Sequence, residues 1–128
     1  MSEVVAMDAS ALMMPVEVGV RLFDELDRLL GEYECVVPRA VVTELAGLSQ
    51  AGGTEGTAAR VGADLAAEHC REVEHEESYA DDALVELARA GAVDTVVTND
   101  GPLRDRLLSA GVPVIHLRGR NKLARTQP

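Results

Sequence analysis

The sequence predicts an α/β domain built on a mainly parallel sheet with helices on both faces. Three observations carry this. Short runs rich in Val and Ile recur along the chain, amphipathic helical patterns lie between them, and 128 residues suit one domain. Strands alternating with helices imply right-handed crossovers, which cover a parallel sheet on both sides. The core must be aliphatic, because there is no Trp, one Phe and two Tyr.

Five segments read as strands: "EVVAMD" (3–8), "ECVVP" (34–38), "REVEH" (71–75), "VDTVVTND" (93–100) and "VPVIHLR" (112–118). The third is thin, with Val73 alone. Between the first two, "VEVGVRLFDELDRLLG" puts Val18, Leu22, Leu26, Leu29 and Leu30 on one stripe and stops at Gly31. After Pro38, "RAVVTELAGL" has helical spacing. The segment "QAGGTEG" (50–56) reads as a flexible loop, and the helix "TAARVGADLAAEHC" starts at Thr57, a natural N-cap. An amphipathic helix in "ESYADDALVELARAG" (77–91), running from Asp81 to Gly91, precedes the fourth strand. "GPLRDRLLSAG" begins with Pro102 and stops at Gly111. Residues 1–118 then form the domain, and residues 119–128 a basic C-terminal tail with no acid.

Twelve basic against 22 acidic residues give a net charge of −10. Only Lys122 is a lysine; the other cations are arginines. That composition suits a salt-loving organism or an ordinary acidic soluble protein, and argues against a broad basic nucleic-acid footprint. A local footprint is still open to Arg104, Arg118, Arg120 and Lys122. Cys35 and Cys70 stand far apart in no CxxC pattern, so free buried thiols in a reducing cytoplasm are expected. Neither a signal peptide nor a transmembrane run is visible. His69, His75 and His116 show no zinc spacing and read as structural.

In parallel sheets of this kind, ligands sit beyond the carboxyl ends of the strands. Asp8 ends the first strand and Asp100 the fourth. Each could instead cap the following turn or helix. Glu44 has Val41 and Leu45 as helical neighbours, which places it on or beside the buried face, where a carboxylate needs a partner. In "ESYADDALVELARAG", Asp81 precedes Leu84 and Val85 by three and four residues and falls inside the apolar arc. Asp82 precedes Glu86 and Arg89 and falls at the polar edge, facing water. Acids gathered at one sheet edge without a lysine repel one another unless they hold a divalent cation. All-oxygen ligation suits Mg²⁺ or Mn²⁺, as one or two ions, and such a site suits phosphodiester hydrolysis.

"MDASAL", "VPRAVVTEL", "YADDALV" and "VVTNDGPLRDRL", in this order, resemble the PIN-domain nuclease family. The resemblance spans nearly the whole chain. Its style, including "VPVIHLRGRN", is most similar to archaeal PIN domains akin to small-subunit ribosomal RNA processing factors. It implies a three-layer α/β/α fold with a parallel five-stranded sheet, order 3-2-1-4-5, and Mg²⁺- or Mn²⁺-dependent endoribonuclease activity. Asp8, Glu44, one aspartate of the 81–82 pair and Asp100 match the family's acidic set. Ser10, Thr98 and Asn99 match positions with orienting roles; Ala9 replaces a commoner Thr. A string match to toxin-type members would choose Asp82, but helical phase selects Asp81 and leaves Asp82 as a supporting residue.

Two other folds that place an acid after the first strand fit poorly. Haloacid-dehalogenase sites want Asp-x-Asp where this chain has "DAS". Receiver domains want a Lys ending the fifth strand, where this chain has "HLRGR". Three functions follow from the resemblance: an RNA processing or decay nuclease, a toxin held by a protein antitoxin, and a non-catalytic RNA- or protein-binding scaffold. RNA is the expected partner, a homodimer is possible, and no membrane is involved.

Overall fold

The computed structural model describes residues 2–128. A single six-stranded sheet has the order β3-β2-β1-β4-β5-β6. The chain runs β1 (Glu3–Met7), α1 (Ala9–Glu17), α2 (Leu22–Leu30), β2 (Tyr33–Pro38), α3 (Arg39–Leu48), α4 (Gly53–His69), β3 (Arg71–Val73), α5 (Ala80–Arg89), β4 (Thr95–Val97), α6 (Gly101–Ser109), β5 (Val114–Arg118) and β6 (Lys122–Thr126). The first five strands pair in parallel, with Ala6 opposite both Val36 and Val96. Right-handed crossovers carry α1 to α4 over one face and α5 and α6 over the other. The order of connection reverses between β1 and β4, so the crevice for a ligand opens there.

The central strands are apolar on both faces because both are covered. Val5, Ala6, Met7, Val36, Val96, Val97, Val114 and Ile115 are buried, together with Leu12, Leu26, Leu84, Leu103 and Leu107 from the helices. α1 and α4 approach closely at Gly62, where a Cβ would stand 2.9 Å from the Leu12 carbonyl oxygen. No helix among the described residues is long and apolar enough to cross a membrane.

Four expectations need correction. The stripe from Val16 to Gly31 is not one helix: α1 already begins at Ala9, and the chain breaks at Gly19, whose φ of 72° only glycine adopts freely. Val18, assigned to the buried stripe, lies in that break and is 44% exposed. Further on, the loop shrinks to residues 50–52, because α4 starts at Gly53 with Gly52 as N-cap rather than at Thr57.

The basic tail is also a strand. β6 pairs antiparallel with β5, Val114 opposite Thr126 and Arg118 opposite Lys122, so the sheet has six strands rather than five. Leu123 points inward and is buried. Its N–H donates to the Glu25 carboxylate at 2.9 Å, which also takes two bonds from Arg28. Arg28 and that backbone donor pull the Glu25 carboxyl down to about 2. Charge composition hid a strand whose one inward leucine and buried acid partner fix it in place. Finally, Cys35 and Cys70 are not free thiols but a disulfide, joining β2 to the residue before β3.

Candidate active site

The carboxyl edge at the β1/β4 switch point gathers the acids. Asp8 follows β1 directly and is buried, 5% exposed. Its Oδ1 accepts the Ala11 N–H at 2.8 Å and caps α1. Ser10 Oγ donates to Oδ1 at 2.8 Å, and the Thr98 hydroxyl donates to Oδ2. Burial pushes the Asp8 carboxyl up to about 6; these three donors hold it down, and the charge of Asp81 raises it further.

The segment after β4 is wired to the same carboxylate. The Asn99 N–H donates to Ser10 Oγ at 3.0 Å, and the Asp100 N–H donates to Thr98 Oγ1 at 3.0 Å. The Asn99 side-chain oxygen accepts from Leu117 N–H at 2.9 Å, tying the segment to β5. Asp100 caps α6 by accepting from Leu103 N–H at 2.8 Å. Both strand-end acids therefore act as helix caps, which fixes where their carboxylates stand.

Glu44 on α3 and Asp81 on α5 line an open cleft of about 600 Å³, whose walls also include Ser78, Tyr79, Asp82 and Arg106. Asp8 and Asp100 are outside that lining but within electrostatic reach of it, Asp81 acting on Asp8 and Asp100 on Glu44 and Asp81. Desolvation raises the Glu44 carboxyl first, then the charges of Asp81 and Asp100. Desolvation and Asp100 likewise raise Asp81, Arg106 lowers it, and Asp82 raises it. Asp81 is thus the hub: it acts on Asp8 and Glu44, and Asp100 acts on it.

Three expectations are corrected here. Glu44 is exposed on the cleft, not set in the core edge. Asp81 faces the other acids, yet it is the exposed member of its pair, because the cleft is open to water. Asp82 does not face water alone; it is partly buried, and Arg106 donates to its Oδ1 at 2.9 Å. Arg106 had no signal in the sequence, since it reaches across from α6 to α5. The structural reading of His75 gains a detail: its Nε2 accepts the Ala40 N–H at 2.9 Å and so caps α3, the helix of Glu44.

Among the described residues, no three His, Cys, Asp or Glu side chains close into a ligand cluster for a metal. The chemistry of the donors still suits a hard cation: four carboxylates, mutually destabilised where their shifts are resolved, with one arginine among them. Of the basic candidates, Lys122 Nζ lies 3.9 Å from Glu25 and Arg104 Nε 4.0 Å from Asp105. Arg118 and Arg120 are exposed at the β5–β6 turn. That turn leaves the same sheet edge as the acids, beside Asn99.

A family model described as a PIN-like domain matches residues 5–120. No curated protein sequence matches significantly. Solved structures do. The PIN domain endonuclease Utp24 superposes with a TM-score of 0.79 at 22% identity, over 98% of this chain and 92% of that one. A domain of a functionally unknown protein from Methanocaldococcus jannaschii gives 0.66 at 17% identity, over 94% and 95%. VapBC2 from Rickettsia felis, solved with a promoter DNA fragment, gives 0.64 at 11% identity, over 90% and 99%. At such identities the superpositions speak to the fold.

Proposed function

The chain belongs to the PIN-like domain family, and on that premise we propose that it is a metal-dependent endoribonuclease acting in RNA processing or decay. One observation supports the proposal: Glu44 and Asp81 share one cleft, and Asp8 and Asp100 stand close enough that the four carboxylates raise one another where a shift is resolved. Capping accounts for where Asp8 and Asp100 stand but not for Glu44 and Asp81, and carboxyls raised by burial and by one another beside a cleft mark a site.

Asp8, Glu44, Asp81 and Asp100 are the residues that would hold Mg²⁺ or Mn²⁺. Such an ion, when bound, supplies an activated water and neutralises charge on the scissile phosphate. The protein's own groups do the rest. Ser10 and Thr98 donate to Asp8 and fix the direction of its oxygens. Asn99 locks the β4 end to Ser10 and to β5, which keeps Asp100 in register with Asp8. Arg106 offsets part of the repulsion at Asp81 while holding Asp82 aside. Arg118 and Arg120 leave the same edge and offer phosphate contacts to a strand entering the cleft.

The test is cleavage of single-stranded RNA with Mn²⁺ and with a chelator. Wild-type protein cuts only with the metal, and Asp8→Asn or Asp81→Asn abolishes cutting. Chelator-insensitive cleavage, or none under any metal at the salt the protein natively experiences, rejects the proposal; salt must be matched because phosphate contacts weaken steeply with it.

A further inference from the structure

Of the chain's three aromatic residues, Phe23 stacks on His69 and Tyr33 is partly buried. Tyr79 alone turns its ring to water, 76% exposed. It stands on the wall of the acid cleft with Glu44, Asp81 and Arg106, two residues from Asp81. Nothing in the fold requires a ring there. As N-cap of α5, Tyr79 makes no side-chain cap bond.

Its backbone, by contrast, is held. The Tyr79 carbonyl accepts the Ala83 N–H at 2.8 Å in the first turn of α5. The approach is pinned by the Glu86 carboxylate, which accepts from Glu77 N–H at 2.8 Å and from Glu76 N–H at 3.0 Å. The ring is therefore an apolar face carried on an anchored backbone, beside the carboxylates of Glu44 and Asp81.

Resting on the nuclease reading above, we propose that Tyr79 is the stacking platform for one unpaired nucleobase next to the cleaved phosphate. Stacking on an aromatic ring is open to every base but needs a free base face, which a duplex does not offer. Tyr79 thus makes the site accept single strands and loops with little regard to sequence and reject paired RNA. The cleft supports such an occupant with one cation, Arg106, for the backbone of that nucleotide.

The experiment is steady-state cleavage of a single-stranded RNA with Mn²⁺, intact or carrying an abasic nucleotide at successive positions around the cut. Tyr79→Ala raises KM on the intact strand about tenfold, in the range that removing a stacked aromatic produces. Tyr79→Phe and Tyr79→Trp stay near wild type, and all variants melt as wild type because the ring is exposed. In wild type, one abasic position costs a similar factor; in Tyr79→Ala that position costs nothing more, the non-additivity that marks a direct contact. An unchanged KM in Tyr79→Ala, or penalties that add at every abasic position, overturns the stacking role while leaving the nuclease reading intact. Failure of wild type to cut any RNA removes both.

Discussion

Burying the Asp8 carboxylate sets a cost that titration can read. Its pKa rises from an ordinary 3.8 to about 6, so between those values the folded state holds the proton more often than the unfolded chain. Stability then falls as pH rises through that window, and the cost is fully present at neutral pH. Asp8→Asn removes the charge and keeps the acceptor for Ala11. It should stabilise the metal-free protein by about 1–3 kcal/mol at neutral pH, with the gain shrinking toward the acid end, as measured by denaturant unfolding. The same change abolishes cleavage, the trade expected of a strained active site. At Asp82, loss of the charge that pairs with Arg106 in Asp82→Asn leaves metal-dependent cleavage measurable, whereas Asp81→Asn loses it; the reverse order of activities would shift the hub to Asp82. Helical phase was enough to send Asp81 toward the other acids. It could not give exposure, because that depends on how open the cleft is, nor Arg106, because the partner of Asp82 comes from another helix.

At the scale of elements, the site depends on how tightly α1, which Asp8 caps, packs on α4. Gly62 marks that contact. Gly62→Ala drives a methyl to 2.9 Å from the Leu12 carbonyl oxygen, and overpacking against backbone costs about 1–3 kcal/mol. Thermal unfolding should show a lower Tm for Gly62→Ala, and an unchanged Tm would mean that α1 shifts freely. The five parallel strands were legible because alternation of apolar runs with amphipathic segments admits few topologies. The break at Gly19 was not, since Val18 and Leu22 fit one stripe in any unbroken helix. β6 was hidden for a different reason: Lys122 and Arg125 break up its apolar pattern, and only pairing with β5 and contact with Glu25 on α2 turn it into a strand.

For the whole molecule, the Cys35–Cys70 bond closes a segment of 35 residues. A loop of that length stabilises by roughly 3–4 kcal/mol in the chain-entropy account. Reduction, or Cys70→Ser, should lower Tm measurably under otherwise identical conditions, and no change would mean that the two sulfurs contribute only packing. Two cysteines far apart in sequence carry no pairing signal, because the parallel β2–β3 contact that joins them is a tertiary fact. The candidate site shows the same division. Its acids were visible as strand-end and helix-phase carboxylates, whereas their coupling through Asp81 belongs to the assembled fold. That coupling is the central claim, and calorimetric titration with Mn²⁺ tests it most directly. The account predicts that wild type and Asp82→Asn bind the ion, while Asp81→Asn binds at least about tenfold more weakly, since even outer residues of a metal site cost that much. Equal Mn²⁺ affinity in wild type and Asp81→Asn, or no binding to wild type, would contradict it.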